Sequence, residues 1–184
     1  MADIKEPQPV LPVVGLITAS GFTADVLEEL RPDLGVAVLK SAVLPFSHTT
    51  YYNAEMGNVL MRQWCAFGNL IMPDSLIHLK HRTNDLEQKY LNEDRGRRVN
   101  IDPGLVSMSS LILASTKNYA HRIYLGKGIY AEVTLIYRGH RFVPVDWTYP
   151  DYREIVALDF FSMARGVLKE KLLARDSIKG SEDV

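Results

Sequence analysis

The chain has 184 residues, 47 % of them apolar and 23 % charged, with a formal net charge of −1. These values fit one globular domain and give no field for general nucleic-acid binding. The single Cys65 excludes an internal disulfide and a cysteine-rich zinc site. No run reaches the roughly 18 apolar residues of a membrane span. The N-terminus lacks the basic-then-apolar order of a secretory signal, so a cytoplasmic location is expected.

Residues 1–11, with Pro7 and Pro9 and no periodicity, read as a flexible arm. Val13 to Ile17 is a continuous apolar run between Pro12 and Ser20-Gly21, which predicts a buried strand. Thr23 is positioned to cap a helix over 24–31, with Val26, Leu27 and Leu30 on one face and Pro32 and Gly35 as the stop. A second strand is predicted from Val36 to Leu44, ending at Pro45. A polar loop or short helical turn follows over His48–Gly57. Residues Val59 to Ile71 carry a third strand.

Pro73 opens the next helix. Its apolar stripe is Leu76, Leu79, Thr83, Leu86 and Tyr90; the opposite face, with His78, Lys80, His81, Arg82 and Asp85, reads as solvated. Asn92–Arg98 is a charged turn, and Leu105–Ala114 a strand candidate. Leu125-Gly126-Lys127-Gly128-Ile129 is a hairpin signal. With a three-residue loop, Tyr124 faces Tyr130 and Arg122 faces Glu132, while Ile123, Leu125, Ile129, Ala131, Val133 and Leu135 share the core face. Pro144 puts its strand at an edge or a strand end. Asp151 and Glu154 have capping-box spacing before a helix reaching about Ala174.

This order predicts a single α+β domain over 12–175, with 1–11 and 176–184 as flexible tails. The sheet is expected to be antiparallel or mixed with helices mainly on one face, as a ferredoxin-like core plus an added hairpin and a C-terminal helix.

Asn100-Ile101-Asp102-Pro103-Gly104 is the sharpest local motif. It reads as a turn after a strand, in which Asn100 and Asp102 either satisfy backbone donors or face a ligand. Ser115-Thr116-Lys117-Asn118 partly matches the guanine-reading motif of small GTPases, but Tyr119 stands where that motif has its base-reading aspartate. No Gly-x-x-x-x-Gly-Lys-Ser/Thr loop is present to cradle phosphates, which excludes a P-loop GTPase.

Several long blocks carry a resemblance. They are Tyr-Tyr-x-x-Glu-Met-Gly at 51–57, Thr-Asn-x-x-Glu at 83–87, Val-Asn-Ile-Asp-Pro-Gly at 99–104, the run from His121 to Tyr137, and Trp-Thr-Tyr-Pro-Asp-Tyr at 147–152. Together they resemble an uncharacterised prokaryotic family, defined as a domain of unknown function, whose members are often labelled GTP-binding. The resemblance implies a shared fold and supplies no catalytic residues.

The residues themselves predict a small anionic ligand, phosphate-bearing ones included, in a polar site on the sheet. Tyr51, Tyr52, Glu55, Asn100, Asp102, Lys117, His121, Arg122 and Glu132 are expected to build it. Lys117 and Arg122 would hold the anion. Asp102 and Glu132 are the acid/base candidates, or would take a divalent cation. No dedicated metal site and no cofactor are assigned, and no reaction is named. The competing expectation is a non-catalytic interaction or adaptor protein in which the same residues are an ordered polar network. An RNA-binding sheet bearing Arg122, Tyr124 and Tyr130 is disfavoured by net charge.

Overall fold

In the computed structural model, which describes residues 3–19 and 21–182, Leu11–Thr18 forms strand β1, buried along its whole length. Residues 1, 2, 20, 183 and 184 of the expectations above lie outside the described residues. Thr23–Leu34 forms helix α1, Ala37–Lys40 β2, Leu44–Phe46 β3, Asn53–Met56 the short helix α2, and Leu60–Phe67 β4. A 3-10 turn over Pro73–Ser75 leads into α3, Leu76–Lys89. Then follow β5 Val99–Val106, β6 Ser110–Ser115, β7 Ile123–Gly126, β8 Ile129–Arg138 and β9 Arg141–Pro144. A second 3-10 turn, Asp151–Arg153, precedes α4, Ile155–Glu182.

Among the described residues nine strands join one sheet of order β2-β4-β1-β5-β6-β8-β7, with β3 on β4 and β9 on β8. Every pairing is antiparallel. Strands β2, β4, β1 and β5, with α1 and α3 as crossovers, have the order and directions of a ferredoxin-like split βαβ pair. The α+β class, the added hairpin and the C-terminal helix are as expected.

Alternation along each strand divides the core in two. Val14, Leu16, Cys65, Phe67, Val99 and Ile101 face α1 and α3. Leu11, Val13, Trp64, Ala66 and Val106 face α4 through Phe160, Phe161, Ala164 and Leu168. Among the described residues no helix is long and apolar enough to cross a membrane.

Several local expectations are corrected. Val10 and Leu11, assigned to the arm, are buried, and Val10 bridges to Ile71. Phe22, not Thr23, occupies the N-cap of α1 and gives no side-chain cap; Pro32 lies inside the helix, which Gly35 ends at φ 79°. A proline so near the C-terminus removes one hydrogen bond and leaves the following turn intact. The strand expected over 36–44 is two, β2 and β3. The run 105–114 is split between β5 and β6 by a serine turn in which the Ser107 hydroxyl accepts the Ser110 amide at 2.9 Å. The last helix runs to Glu182, so 176–182 are helical rather than tail. Asp151 does not cap it: Glu154 is the extended residue before Ile155, and its carboxylate meets His48 at 2.9 Å.

The hairpin pairs Ile123 with Ala131 and Tyr124 with Tyr130, as the spacing predicts. The loop differs. Gly126 pairs with Ile129, so the turn has two residues, Lys127 and Gly128, both at positive φ, and Leu125 bulges. A two-residue turn of this kind matches the twist of the strands it joins. The shared apolar face is also corrected. A register shift against β6 at Thr134 leaves Ile129 and Ala131 packed with Leu76 on the α3 side and Leu135 packed with Phe142 on the α4 side. Ile123 and Leu125 are exposed.

Candidate functional site

Asn100 to Gly104 is not a turn; the segment lies inside β5, paired with β1 from Thr18↔Val99 to Leu11↔Val106. Proline is tolerated in this central strand because β5 and β6 pair only at Gly104↔Leu113, Leu105↔Ile112 and Val106↔Leu111. Beyond that point the two strands separate. The backbone of Ile101, which no strand reaches on that side, is served by α3. The Glu87 carboxylate accepts its N–H at 2.6 Å, and Lys80 Nζ donates to its carbonyl at 3.2 Å. By the alternation of the ladder Pro103 turns its nitrogen to the same side, where its missing N–H leaves nothing unpaired.

The gap opens into a cavity of about 460 Å³, within the usual range for small-molecule sites. It is lined from both faces of the sheet. Lys80, Asn84 and Glu87 come from α3. Arg62, Asn100, Asp102, Glu132, Tyr149 and Tyr152 come from the α4 side, and Tyr51, Tyr52 and Lys117 from two loops at the rim.

At the floor is Arg62, on the face of β4 that carries Trp64. Its guanidinium lies 4.9 Å from the Tyr152 ring centroid and 5.1 Å from that of Trp64. Nη1 donates to Asp102 at 3.2 Å; Nη2 lies 2.7 Å from Asp151, an ion contact without hydrogen-bond alignment. Burial opposes this charge, and the neighbouring Tyr152, Asp151 and Asp102 overcome it, so Arg62 is held more firmly protonated than usual. Asp102 also accepts Asn100 Nδ2 at 3.0 Å. Asn100 in turn accepts Arg97 Nη1 at 2.8 Å, and Arg97 makes a two-pronged pair with Glu55. The hydrogen bonds of Arg97 hold the Glu55 carboxyl below its ordinary range, while burial pushes that of Glu87 up. Gly15 lies opposite Asp102 and Trp64; a Cβ there would stand 2.6 Å from the Tyr152 hydroxyl and 3.0 Å from Arg62.

The other wall is built on Glu132, whose side chain is 1 % exposed. Arg122 Nε donates to it at 2.6 Å, His121 Nε2 lies at 3.2 Å, and the Thr134 hydroxyl donates at 3.4 Å. The expected Arg122–Glu132 contact is therefore present, although Arg122 precedes the first residue of β7. The same guanidinium reaches Ser115 Oγ at 2.9 Å, the Lys117 carbonyl at 3.0 Å and the Tyr149 hydroxyl at 2.6 Å. His121 is stacked between Tyr119 and Trp147 at centroid distances of 6.0 and 5.2 Å. Burial first, then the nearby Glu132 charge, pushes the Tyr149 phenol up to about 12, so it is a neutral donor. Because its oxygen already accepts from Arg122, its proton is left for another acceptor.

Of the nine residues expected in the site, Tyr51, Tyr52, Asn100, Asp102, Lys117 and Glu132 line the cavity. Glu55, His121 and Arg122 stand behind them, the first on Arg97 and the others on Glu132. Arg122 thus organises a carboxylate and a tyrosine instead of meeting an anion directly. Sequence reasoning missed Arg62, Lys80, Glu87 and Asp151. Two signals were there to be read. Arg62 shares the strand face of Trp64 and Ala66. Lys80, Thr83 and Glu87 continue the stripe of Leu76 at helical spacing, so the face taken for solvated contributes a buried lysine.

A family model described as "Domain of unknown function (DUF4416)" matches residues 8–167. No curated protein matches the chain, and no solved structure does.

Proposed function

We propose that this chain, which belongs to the DUF4416 family, binds a small organic anion, phosphate-bearing ones included, in the cavity between β5 and β6. One observation carries the reading. Lys117 Nζ rests 4.6 Å from the Tyr51 ring centroid and 3.4 Å from its hydroxyl, with no carboxylate at ion-pair distance among the described residues. Three carboxylates of the cavity, in contrast, already have donors of their own. Glu132 has Arg122, Glu87 has the Ile101 amide, and Asp102 has Arg62 and Asn100. A cavity with donors already set on Glu132, Glu87 and Asp102, and with an ammonium and tyrosine hydroxyls at its rim, favours an acceptor-rich, negatively charged guest at that rim.

Thermal-shift measurement with inorganic phosphate, organophosphates and small carboxylates tests this, since a ligand specific to the folded state raises apparent stability. At least one anion is expected to raise the Tm of the wild type and to do so far less with Lys117→Ala. Equal shifts in both proteins, or none in either, would sink the proposal.

An interaction or adaptor role has its own support in the edge strand β7, where Ile123, Tyr124 and Leu125 are exposed at 70, 58 and 39 %. Substituting Ile123 and Leu125 by Ser separates the two: it would leave anion-dependent shifts intact and remove a partner contact on that edge.

A further inference from the structure

The cavity is electrically uneven. On its floor Asp102 and Asp151 share one guanidinium, that of Arg62, at 3.2 and 2.7 Å. Two carboxylates against one cation leave that end with excess negative charge. Asp151 is sealed at 7 % side-chain exposure, whereas Asp102 is 30 % exposed and lines the cavity. Each Asp102 oxygen accepts a single protein hydrogen bond and retains capacity for another. Tyr52 and Tyr149 line the same chamber and offer π-electron density to a cation. At the rim the imbalance is reversed, because Lys117 has no carboxylate at ion-pair distance among the described residues.

Resting on the anion-binding reading above, we propose that the guest is bipolar: a small molecule with an ammonium group on Asp102 and an anionic group on Lys117. Amino acids and phosphorylated amines are the chemical class. A hydroxyl on the floor would satisfy the hydrogen bond but not the uncompensated charge, and a plain anion would leave the Asp102 carboxylate facing its own sign. Arg62 does not offer an alternative anchor for an anion there, since its Nη atoms lie against the two aspartates and its Nε, although without a hydrogen-bond partner, is sealed from the cavity.

The experiment is calorimetric titration of the full chain with two matched pairs of probes: phosphoethanolamine against ethyl phosphate, and γ-aminobutyrate against butyrate. At least one aminated probe is expected to bind roughly tenfold or more tightly than its counterpart, the effect of one charge-assisted contact. Asp102→Asn, which keeps the shape and an acceptor for Arg62, is expected to erase that preference by weakening the aminated probe, without weakening its counterpart; Lys117→Ala is expected to weaken both members of the pair. If each counterpart binds as tightly as its amine and Asp102→Asn changes nothing, while Lys117→Ala still weakens binding, the bipolar guest is wrong and the anion site stands. If none of the four binds, or Lys117→Ala is without effect, both readings fall.

Discussion

Glu87 concentrates the physical problem of this site in one side chain. It is buried, its carboxyl is pushed up by desolvation, and its oxygen is nevertheless the partner of a strand amide. Glu87→Gln keeps an acceptor for Ile101 and removes the buried charge, so it is expected to be neutral or stabilising near pH 7 in urea unfolding. Glu87→Ala leaves the Ile101 amide unpaired and is expected to cost about 1–3 kcal/mol. The pH dependence has a definite sign. A carboxyl whose folded pKa is raised contributes stability that is complete below its ordinary value of 4.5 and is lost as pH rises through the raised value. Glu87→Gln should flatten that part of the profile, whereas a profile shared by the two proteins would show that the group is not the one titrating. At this scale the sequence disclosed chemical types better than positions. Asp102, Glu132 and Lys117 are visible because unusual polar residues interrupt apolar runs. Arg62 and Lys80 are not, because a lone charge in a strand or helix reads as solvated until the tertiary fold covers it.

The elements were legible where a single period governs them. β1 is a continuous apolar run, α3 keeps a 3.6-residue stripe, and the pairing of Tyr124 with Tyr130 follows from loop spacing. They were misread where a polar residue has two uses. Asp151 has the spacing of a cap, yet its carboxylate is spent on Arg62. Asp151→Ala leaves Asp102 as the counter-charge of Arg62 and is therefore expected to cost about 1.5–3 kcal/mol, the scale of one charge-assisted contact, against about 1 kcal/mol for a lost cap. A loss below about 1 kcal/mol would return Asp151 to the helix. The hairpin supplies an opposite case. Lys127 and Gly128 sit at φ 50° and 78°, and a two-residue turn with both centres at positive φ prefers Asn-Gly. Lys127→Asn is expected to stabilise the chain by about 0.5 kcal/mol, seen as a higher midpoint with an unchanged denaturant slope. Asn100–Gly104 was misjudged for another reason: Pro-Gly signals a turn, and only the parting of β5 from β6 makes it compatible with a strand.

For the molecule as a whole, the split βαβ core was recoverable from element order, since two βαβ halves in succession leave few topologies. The cavity was not, because it arises where pairing stops, and strands do not announce where they part. The same whole-chain view bears on nucleotide chemistry. Ser115–Lys117 closes β6 at the cavity rim, with the Lys117 amide donating to Ser115 Oγ at 3.1 Å, and no glycine-rich phosphate loop accompanies it. Purified protein is expected to show no magnesium-dependent GTP hydrolysis; turnover that disappears with Lys117→Ala would contradict this. The central place of β1 has a further cost, measured in time. Gly15 is held between Trp64 and Asp102, so a growing chain must emerge past β5 before both edges of β1 are paired. Until then its unbroken apolar run remains open to other chains. Nascent chains stopped short of Val99 are the ones that should depend most on holdase chaperones, and the strand that anchors the finished sheet is the greatest hazard during its synthesis.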